Sequence, residues 1–566
     1  MEKYEKYDLK HSAELALNYL TRMVDVERDY LPYWLIQITK APAWAKHCRV
    51  DDAELVASWY EAIVCTRMVL DTPEGEEAKE GFKRHIYSHW HTDGLRYHEP
   101  YPWTHTIHHS FHEDSYLLPA LNRIIEVEHE SRAEELAAGL VRALRKLVYH
   151  RKRRCFWSGD MPIAEKVYEF PNDIYLKDRG FDFSCVTGRG EQSIRNAIML
   201  HGLVRHWQIT GDKVSLDLAE GIANHLLGQS RYFNYKGEFF GHVHSAMWAA
   251  AGLVLLGRLR ENERYIKWGR MIYDYVKSLS SEFGWVPEYA QLHPMAEEHC
   301  ETCCIRDMIL CGFELIDAGD DKPYDLINRY ARNQLYEQQI KTGGFVGVDN
   351  DRKPEEPGIT YQNIDQRVVG GWTGGGEPAS ISLSRFRSIA GCCVGTAPQA
   401  LHQVWSRIME DRESRIFVNF PISYSGDLGK VEIGYPNEGL LKVECGKPGK
   451  YAIRLYDFMG DDFVLSVNET QISPHIDNGC AVIEGMKKGD QIRLTHTLES
   501  HTTHERVRGQ DMDIKWKGSD VVEVSPPGEP LRLYQRKLGV PKDIPPPPKI
   551  SEEVTCIDAA PTEQKR

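Results

Sequence analysis

The sequence predicts a mainly α protein: an α/α toroid followed by a C-terminal antiparallel β-sandwich. Three observations carry this reading. Through residues 11–340 the apolar side chains recur at helical spacing, separated by short Gly, Asp or Pro breaks, with few strand-like runs. Within that stretch a helix–turn–helix unit recurs at about 50 residues, at 117–147, 193–227, 245–279 and 303–335. Past residue 409 the pattern changes to alternation, in R-I-F-V-N-F, K-V-E-I-G-Y, L-L-K-V-E-C, Y-A-I-R-L-Y and F-V-L-S-V-N.

Each element has its own signal. The unit at 193–227 turns through W-Q-I-T-G-D before L-D-L-A-E-G-I-A-N-H-L-L; the next two turn through R-L-R-E-N-E-R-Y and D-A-G-D-D-K-P. Helical hairpins at this period build either an open solenoid or a closed ring. The ring is preferred because aromatic residues and histidine collect at hairpin starts and loops, from Trp103 to His109 and from Gly241 to His244, where an inner mouth would let a sugar stack. Trp103, Trp157, Trp248 and Trp372 are candidate platforms, with core packing the competing role. Residues 341–376 are Gly-rich and read as a loop, a helix is expected over 397–409, and residues 541–566 read as a Pro-rich tail. The expected division is 1–410, 411–540 and 541–566.

Composition narrows the function. A chain of 566 residues can bury a large core in more than one domain. Its formal net charge of −14, without a long Lys/Arg block, argues against a nucleic-acid partner and leaves carbohydrate as an easier ligand. The 13 cysteines are scattered, and the N-terminus MEKYEKYDLKHSAEL has no apolar run, so a reducing cytoplasm is expected. No apolar stretch approaches the roughly 20 residues a membrane helix needs. Association with further copies of the chain is left open.

Two short segments carry chemistry: Glu301-Thr302-Cys303, and the pair Cys392-Cys393 between Gly391 and Gly395. Zn²⁺ takes four ligands in a tetrahedron, favours thiolate and accepts carboxylate, so Glu301, Cys303, Cys392 and Cys393 make a complete set. The spacing is unlike the C-x-x-C of structural zinc. Packing is the competing role for the cysteines around the first segment, Cys300, Cys304 and Cys311. A vicinal Cys392–Cys393 disulfide ranks low in a reducing compartment.

The order of landmarks resembles glycoside hydrolase family 127, the β-L-arabinofuranosidase family. E-T-C lies in a helical hairpin, C-C follows a Gly-rich loop, and R-I-F-V-N-F opens a β-domain. Gly241 to Met247 is similar to the family's G-H-A-V-R-A-M, Thr210 to Asp212 matches its hairpin turn, and Pro294 stands at its spacing before E-T-C. The overlap spans about residues 112–467, and the loop around the thiols departs, with A-G-C-C-V-G-T-A-P for the family's C-A-C-C-P-P-N. The resemblance implies an (α/α)6 toroid with a β-sandwich, and a retaining glycosidase whose nucleophile is a zinc-bound cysteine. On it Cys392 attacks the anomeric carbon, and Glu301, Cys303 and Cys393 complete the zinc shell. Glu288 in G-W-V-P-E-Y is the expected acid/base, with Glu282, Glu297 and Glu298 as rivals. His242 and His112 match sugar-contacting positions, and Asn196 stands at a third.

The chemistry is coherent. A neighbouring cation lowers a thiol's pKa, so a metal keeps Cys392 ionised at neutral pH, and the glutamate does the proton transfers that a second carboxylate performs in ordinary retaining enzymes. Three alternatives stay open: a toroidal polysaccharide lyase or a sugar isomerase with a structural zinc, or a glycan-binding protein without turnover. Sugar identity, ring form, linkage and the choice of zinc over iron are not encoded in any motif.

Overall fold

The computed structural model describes residues 2–98, 101–103, 107–150, 166–183, 193–291, 299–381 and 388–550. Its helices are α1 (Leu9–Arg22), α2 (Val56–Leu70), α3 (Glu76–Ile86), α4 (Phe111–Glu128), α5 (Ser131–Leu147), α6 (Leu200–Thr210), α7 (Lys213–Asn224), α8 (Val243–Leu259), α9 (Glu263–Leu279), α10 (Thr302–Asp317), α11 (Pro323–Tyr330), the single turn α12 (Ile364–Arg367) and α13 (Gly391–Trp405). The four expected hairpins are α4/α5, α6/α7, α8/α9 and α10/α11.

Burial sorts these helices into two layers. α8 is buried from Val243 to Gly257 on every face, whereas α9 buries only the stripe Tyr265, Gly269, Ile272, Tyr273 and Val276. An all-apolar helix belongs inside and an amphipathic one outside. The inner helices close a circuit: α2 packs on α4, α4 on α6, α6 on α8, α8 on α10, α10 on α13, and α13 back on α2. Around them α3 covers α2, α5 covers α4, α7 covers α6, α9 covers α8 and α11 covers α10, while α1 covers both α2 and α13. Truncating a fully buried inner side chain such as Leu253 or Ile305 to Ala should cost about 2–5 kcal/mol, the transfer term plus the cavity.

The turn chemistry explains how the hairpins reverse. Gly211 ends α6 at φ +73, a left-handed conformation that suits glycine, and Asp212 caps α7 by accepting from the backbone N–H groups of Val214 (3.1 Å) and Ser215 (3.2 Å). The N-terminal ends of α8, α10 and α13 meet at one mouth, where side chains from their first residues gather.

Between residues 409 and 525 the strands form three sheets, and Leu531–Arg532 pairs separately with Ser380–Ile381. One has the order Met409–Arg412, Arg415–Val418, Gly449–Arg454, Cys480–Met486, His475–Asp477, and a six-stranded one runs Tyr424–Gly426, Gly429–Ile433, Leu440–Cys445, Gln491–Thr495, Val464–Val467, Thr470–Ile472. Ser500–Val507, Gln510–Lys517 and Asp520–Ser525 make the third. Alternation does the sorting: Val431 pairs with Val443 and Val443 with Ile492, all three buried on one face. One pair departs from the antiparallel expectation, because Arg415–Val418 runs parallel to Gly449–Arg454.

One other expectation needs correcting. The helix expected at 397–409 starts earlier, at Gly391, and ends at Trp405, so the cysteine pair lies inside its first turn. Gly391, Gly395 and Pro398 are poor helix formers and hid that start, but packing requires small residues there: a Cβ on Gly395 would sit 2.4 Å from Ser58 Oγ on α2. Of the Pro-rich segment, residues 541–550 are described; there Ile550 bridges to Ala41 and Lys542 Nζ meets Glu5 Oε2 at 2.9 Å.

Candidate functional site

Glu301 is the extended residue that caps α10 (φ −83, ψ 127), with Cys303 in the first turn behind it. Cys392 and Cys393 occupy the first turn of α13, after extended Ala390. Two helix N-termini, each carrying a partial positive charge, therefore face the same small volume, which favours thiolate over thiol. One ligand atom each from Glu301, Cys303, Cys392 and Cys393 lies within 4.8 Å of the other three, and all four residues are buried. Cys303 Sγ stands 3.6 Å from Cys393 Sγ, and Cys392 Sγ lies 3.3 Å from Glu301 Oε1. The Thr396 hydroxyl donates to Cys303 Sγ at 3.2 Å.

Left to themselves these thiols do not all ionise. Burial first, then hydrogen bonds with Cys392 and Cys393, push Cys303 well above the usual thiol range. Cys392 is raised well above it too: its hydrogen bond with Cys303 pulls down, but that with Cys393 and burial together win. At Cys393 burial pulls upward, yet the hydrogen bonds from Cys303 and Cys392 outweigh it and bring the thiol down to about 6. One negative sulfur thus serves two protonated neighbours. A central dication would replace those shared protons. The geometry suits it, since a tetrahedral ion with Zn–S near 2.3 Å and Zn–O near 2.1 Å has ligand–ligand edges of roughly 3.6–3.8 Å. All ten described cysteines are free thiols, so Cys392 and Cys393 form no vicinal disulfide.

A second buried group, His242, Glu288 and Glu301, also has its ligand atoms within 4.8 Å of one another, so Glu301 belongs to both. A two-residue ladder builds it: Gly241–His242 pairs with Tyr289–Ala290, placing His242 opposite Tyr289. His242 Nε2 is 3.2 Å from Glu301 Oε2, and its Nδ1 is fixed by Ser245 Oγ at 2.8 Å. Glu288 is fully buried and its carboxylate is paired with His299. The Gly-rich loop closes the floor. Cys300 and Gly376 exchange backbone hydrogen bonds of 2.6 and 2.9 Å, and the Thr302 hydroxyl lies within 2.8 Å of Gln338 Oε1.

The remaining expected residues divide. His112 reaches the same mouth, its Nε2 3.3 Å from Glu54 Oε2 and its ring edge-on to Tyr116. Asn196 is fully buried, and its side-chain amide accepts the Phe170 N–H at 2.6 Å and donates to the Phe170 carbonyl at 3.3 Å. Glu282 is half-exposed and bound to Arg329, away from the cluster. Glu297, Glu298, Pro294, Trp157 and residues 104–106 lie outside the described residues. Of the tryptophans, Trp248 packs near the site against Tyr116 and His244, Trp372 is core, and Trp103 stacks on His47 and Tyr101. Cys300, Cys304 and Cys311 are buried outside the four-ligand group.

Sequence reasoning missed several neighbours. Ser245 stands three residues after His242, Thr396 four after Cys392, Asp307 four after Cys303 and Tyr116 four after His112. Each offset is one helical turn, a signal readable once the first residue is known to sit at a helix start.

Comparison with known proteins places the fold. No protein-family profile matches the chain, and no curated protein sequence matches it. Solved structures do. A β-arabinofuranosidase of glycoside hydrolase family 127 superposes over 92% of this chain and 83% of its own, with TM-score 0.59 and 15% identity. A family 127 β-L-arabinofuranosidase from Geobacillus stearothermophilus T6 covers 90% of this chain and 80% of its own (TM-score 0.53, 15% identity). A structure described as a glycoside hydrolase covers 88% and 84% (TM-score 0.54, 13% identity). The resemblance to family 127 read from the sequence is therefore present in the fold of nearly the whole chain.

Proposed function

We propose that this protein is a retaining glycoside hydrolase that releases a terminal sugar through a cysteine nucleophile held in a zinc site. In this reading the closed helix circuit is an (α/α)6 toroid, the C-terminal sheets form a β-sandwich, and the division at 410 and 540 separates toroid, sandwich and tail. The single observation that carries it is the gathering of Glu301, Cys303, Cys392 and Cys393 into one buried group that shares Glu301 with a second group holding Glu288 and His242.

Glu301, Cys303, Cys392 and Cys393 are the residues that would hold the ion. When bound, zinc supplies the positive charge that keeps the thiols ionised at neutral pH. The Cys392 sulfur attacks the anomeric carbon while protonated Glu288 gives its proton to the departing glycosidic oxygen; the C–S bond forms as the C–O bond breaks. The Glu288 carboxylate then takes a proton from water, whose oxygen displaces the sulfur. Two displacements at one carbon retain its configuration. His242, oriented by Ser245, sits where it can bind a sugar hydroxyl and brace Glu301, and His112 is a second sugar-contacting residue. The structural neighbours are named as β-arabinofuranosidases, so an L-arabinofuranose-like sugar, or another furanose or L-sugar, is the first substrate class to try. A reducing cytoplasm suits unpaired thiols.

Incubation with a sugar epoxide tests the reading. Intact mass should rise by one adduct, mapped to the Cys392 peptide and lost in Cys392→Ser. Label on another residue, or release of an unsaturated product absorbing in the ultraviolet, would remove the cysteine mechanism.

A further inference from the structure

A buried polar chain leads from the site into the helix circuit. Tyr116, one turn along α4 from His112, is buried, and its hydroxyl lies 3.1 Å from His244 Nε2. His244 Nδ1 is hydrogen-bonded to Asp307 Oδ2, and Asp307 Oδ1 stands 2.9 Å from Arg306 Nη1. The Arg306 guanidinium lies over the Trp248 ring at 4.4 Å, and that ring packs on both Tyr116 and His244. A carboxylate only accepts, so Asp307 fixes the imidazole proton on Nδ1 and leaves Nε2 to accept the Tyr116 O–H. Burial first, then the neighbouring Glu54 carboxylate, holds the phenol well above its usual range, which keeps that proton in place. The lone pairs of the Tyr116 oxygen remain for another donor.

Glu54 stands beside this tyrosine, in the turn just before α2. It is 3% exposed; Oε2 faces His112, while Oε1 makes no hydrogen bond among the described residues. A buried carboxylate oxygen without a donor is costly, and the cost is removed when a ligand supplies the donor. The family resemblance does not account for the relay, because G-H-A-V-R-A-M has valine at the position of His244.

We propose that Glu54 and Tyr116 form the hydrogen-bond-accepting wall of the sugar pocket beside Cys392, with the His244–Asp307 pair positioning Tyr116, and that this wall selects neutral polyhydroxylated sugars and rejects uronates. Neighbouring sugar hydroxyls offer the donors that Glu54 Oε1 and the Tyr116 oxygen lack. A uronate carboxylate would meet the Glu54 carboxylate, an acceptor of the same charge. His244 and Asp307 touch no substrate and act through Tyr116. The inference rests on the glycosidase reading and names the substrate class of that site.

The test uses metal-loaded wild type, Glu54→Gln, Tyr116→Phe, His244→Asn and the Tyr116→Phe/His244→Asn double variant, assayed on 4-nitrophenyl L-arabinofuranosides and 4-nitrophenyl β-D-glucuronide. Wild type should cleave an arabinofuranoside and leave the glucuronide. Glu54→Gln should raise KM roughly 30-fold and Tyr116→Phe roughly 10-fold, with kcat moving much less. His244→Asn should match Tyr116→Phe, and the double variant should be no worse than either single, since one contact is lost in all three. Metal content should be unchanged throughout. Unaltered KM in Glu54→Gln and Tyr116→Phe, multiplying effects in the double variant, or ready cleavage of the glucuronide would overturn the wall while leaving the hydrolase intact. If wild type cleaves neither glycoside, saturation-transfer NMR with free L-arabinose decides: binding to wild type that Glu54→Gln loses keeps the wall and discards the hydrolase, and no binding to wild type sinks both.

Discussion

Two buried charge centres in this protein obey different rules. Where helices meet sheets, Arg332 pairs with Asp520 at 2.6 Å, Arg536 with Glu337 at 2.7 Å and with Asp520 at 3.2 Å, and Arg332 also donates to the Pro421 carbonyl at 2.6 Å. Cations and anions face one another here, with Lys341 acting on Glu337 as well. At the mouth of the helix circuit the Cys₃Glu group, Glu288 and Glu54 are acids whose described partners are imidazoles, His242, His299 and His112, and not lysine or arginine. A balanced network joins two parts of a chain, whereas a concentration of buried acids at helix N-termini is built to receive a cation and hydroxyl donors from outside. The contrast between a centre that holds the fold and one that serves chemistry is what mutation should separate.

The largest effect expected is Cys392→Ser, which should lower turnover by at least about 10⁴-fold with an unchanged circular dichroism spectrum, because the nucleophile is removed from a prebuilt site. Glu288→Gln should follow, with kcat lower by about 10²–10⁴-fold and the metal content of wild type. At the junction the pattern should invert: Arg332→Met leaves Asp520 in a buried, half-broken network and should cost about 3–5 kcal/mol in denaturant unfolding, with kcat per folded molecule unchanged. The smallest effect is one of pH. Burial lifts the Glu337 carboxyl, but Lys341 and Arg536 outweigh it and hold it down to about 2. Its folded value is below the roughly 4.3 of an unfolded chain, so its stabilisation is present above that value and is lost as pH falls toward about 2. Urea midpoints of wild type and Glu337→Gln should therefore converge on acidification; a gap that persists at pH 2 would contradict the assignment.

Much of this was legible in the residues, for identifiable reasons. The hairpins α4/α5 to α10/α11 follow a helical period punctuated by turns such as Gly211-Asp212, and those are local signals. Glu301, Cys303, Cys392 and Cys393 stood out because metal chemistry restricts residue types, so convergence could be expected before any geometry. The start of α13 was illegible, since Gly391, Gly395 and Pro398 weaken a helix that only contact with α2 completes. The parallel pairing of Arg415–Val418 with Gly449–Arg454 was equally hidden, because alternation fixes faces and not partners. The bond between the Asn196 amide and the Phe170 backbone, 26 residues away in sequence, was hidden for the same reason. His244 lies in the Gly241–Met247 stretch, but its link to Tyr116 and Asp307 forms only when α4, α8 and α10 pack.

Elemental analysis of purified protein, wild type beside Cys303→Ala, bears most directly on the claim that two distant segments build one metal-held thiolate. One equivalent of zinc in wild type and a small fraction of that in the folded variant is the predicted result. Equal metal in both proteins, or none in wild type expressed with zinc supplied, would contradict it.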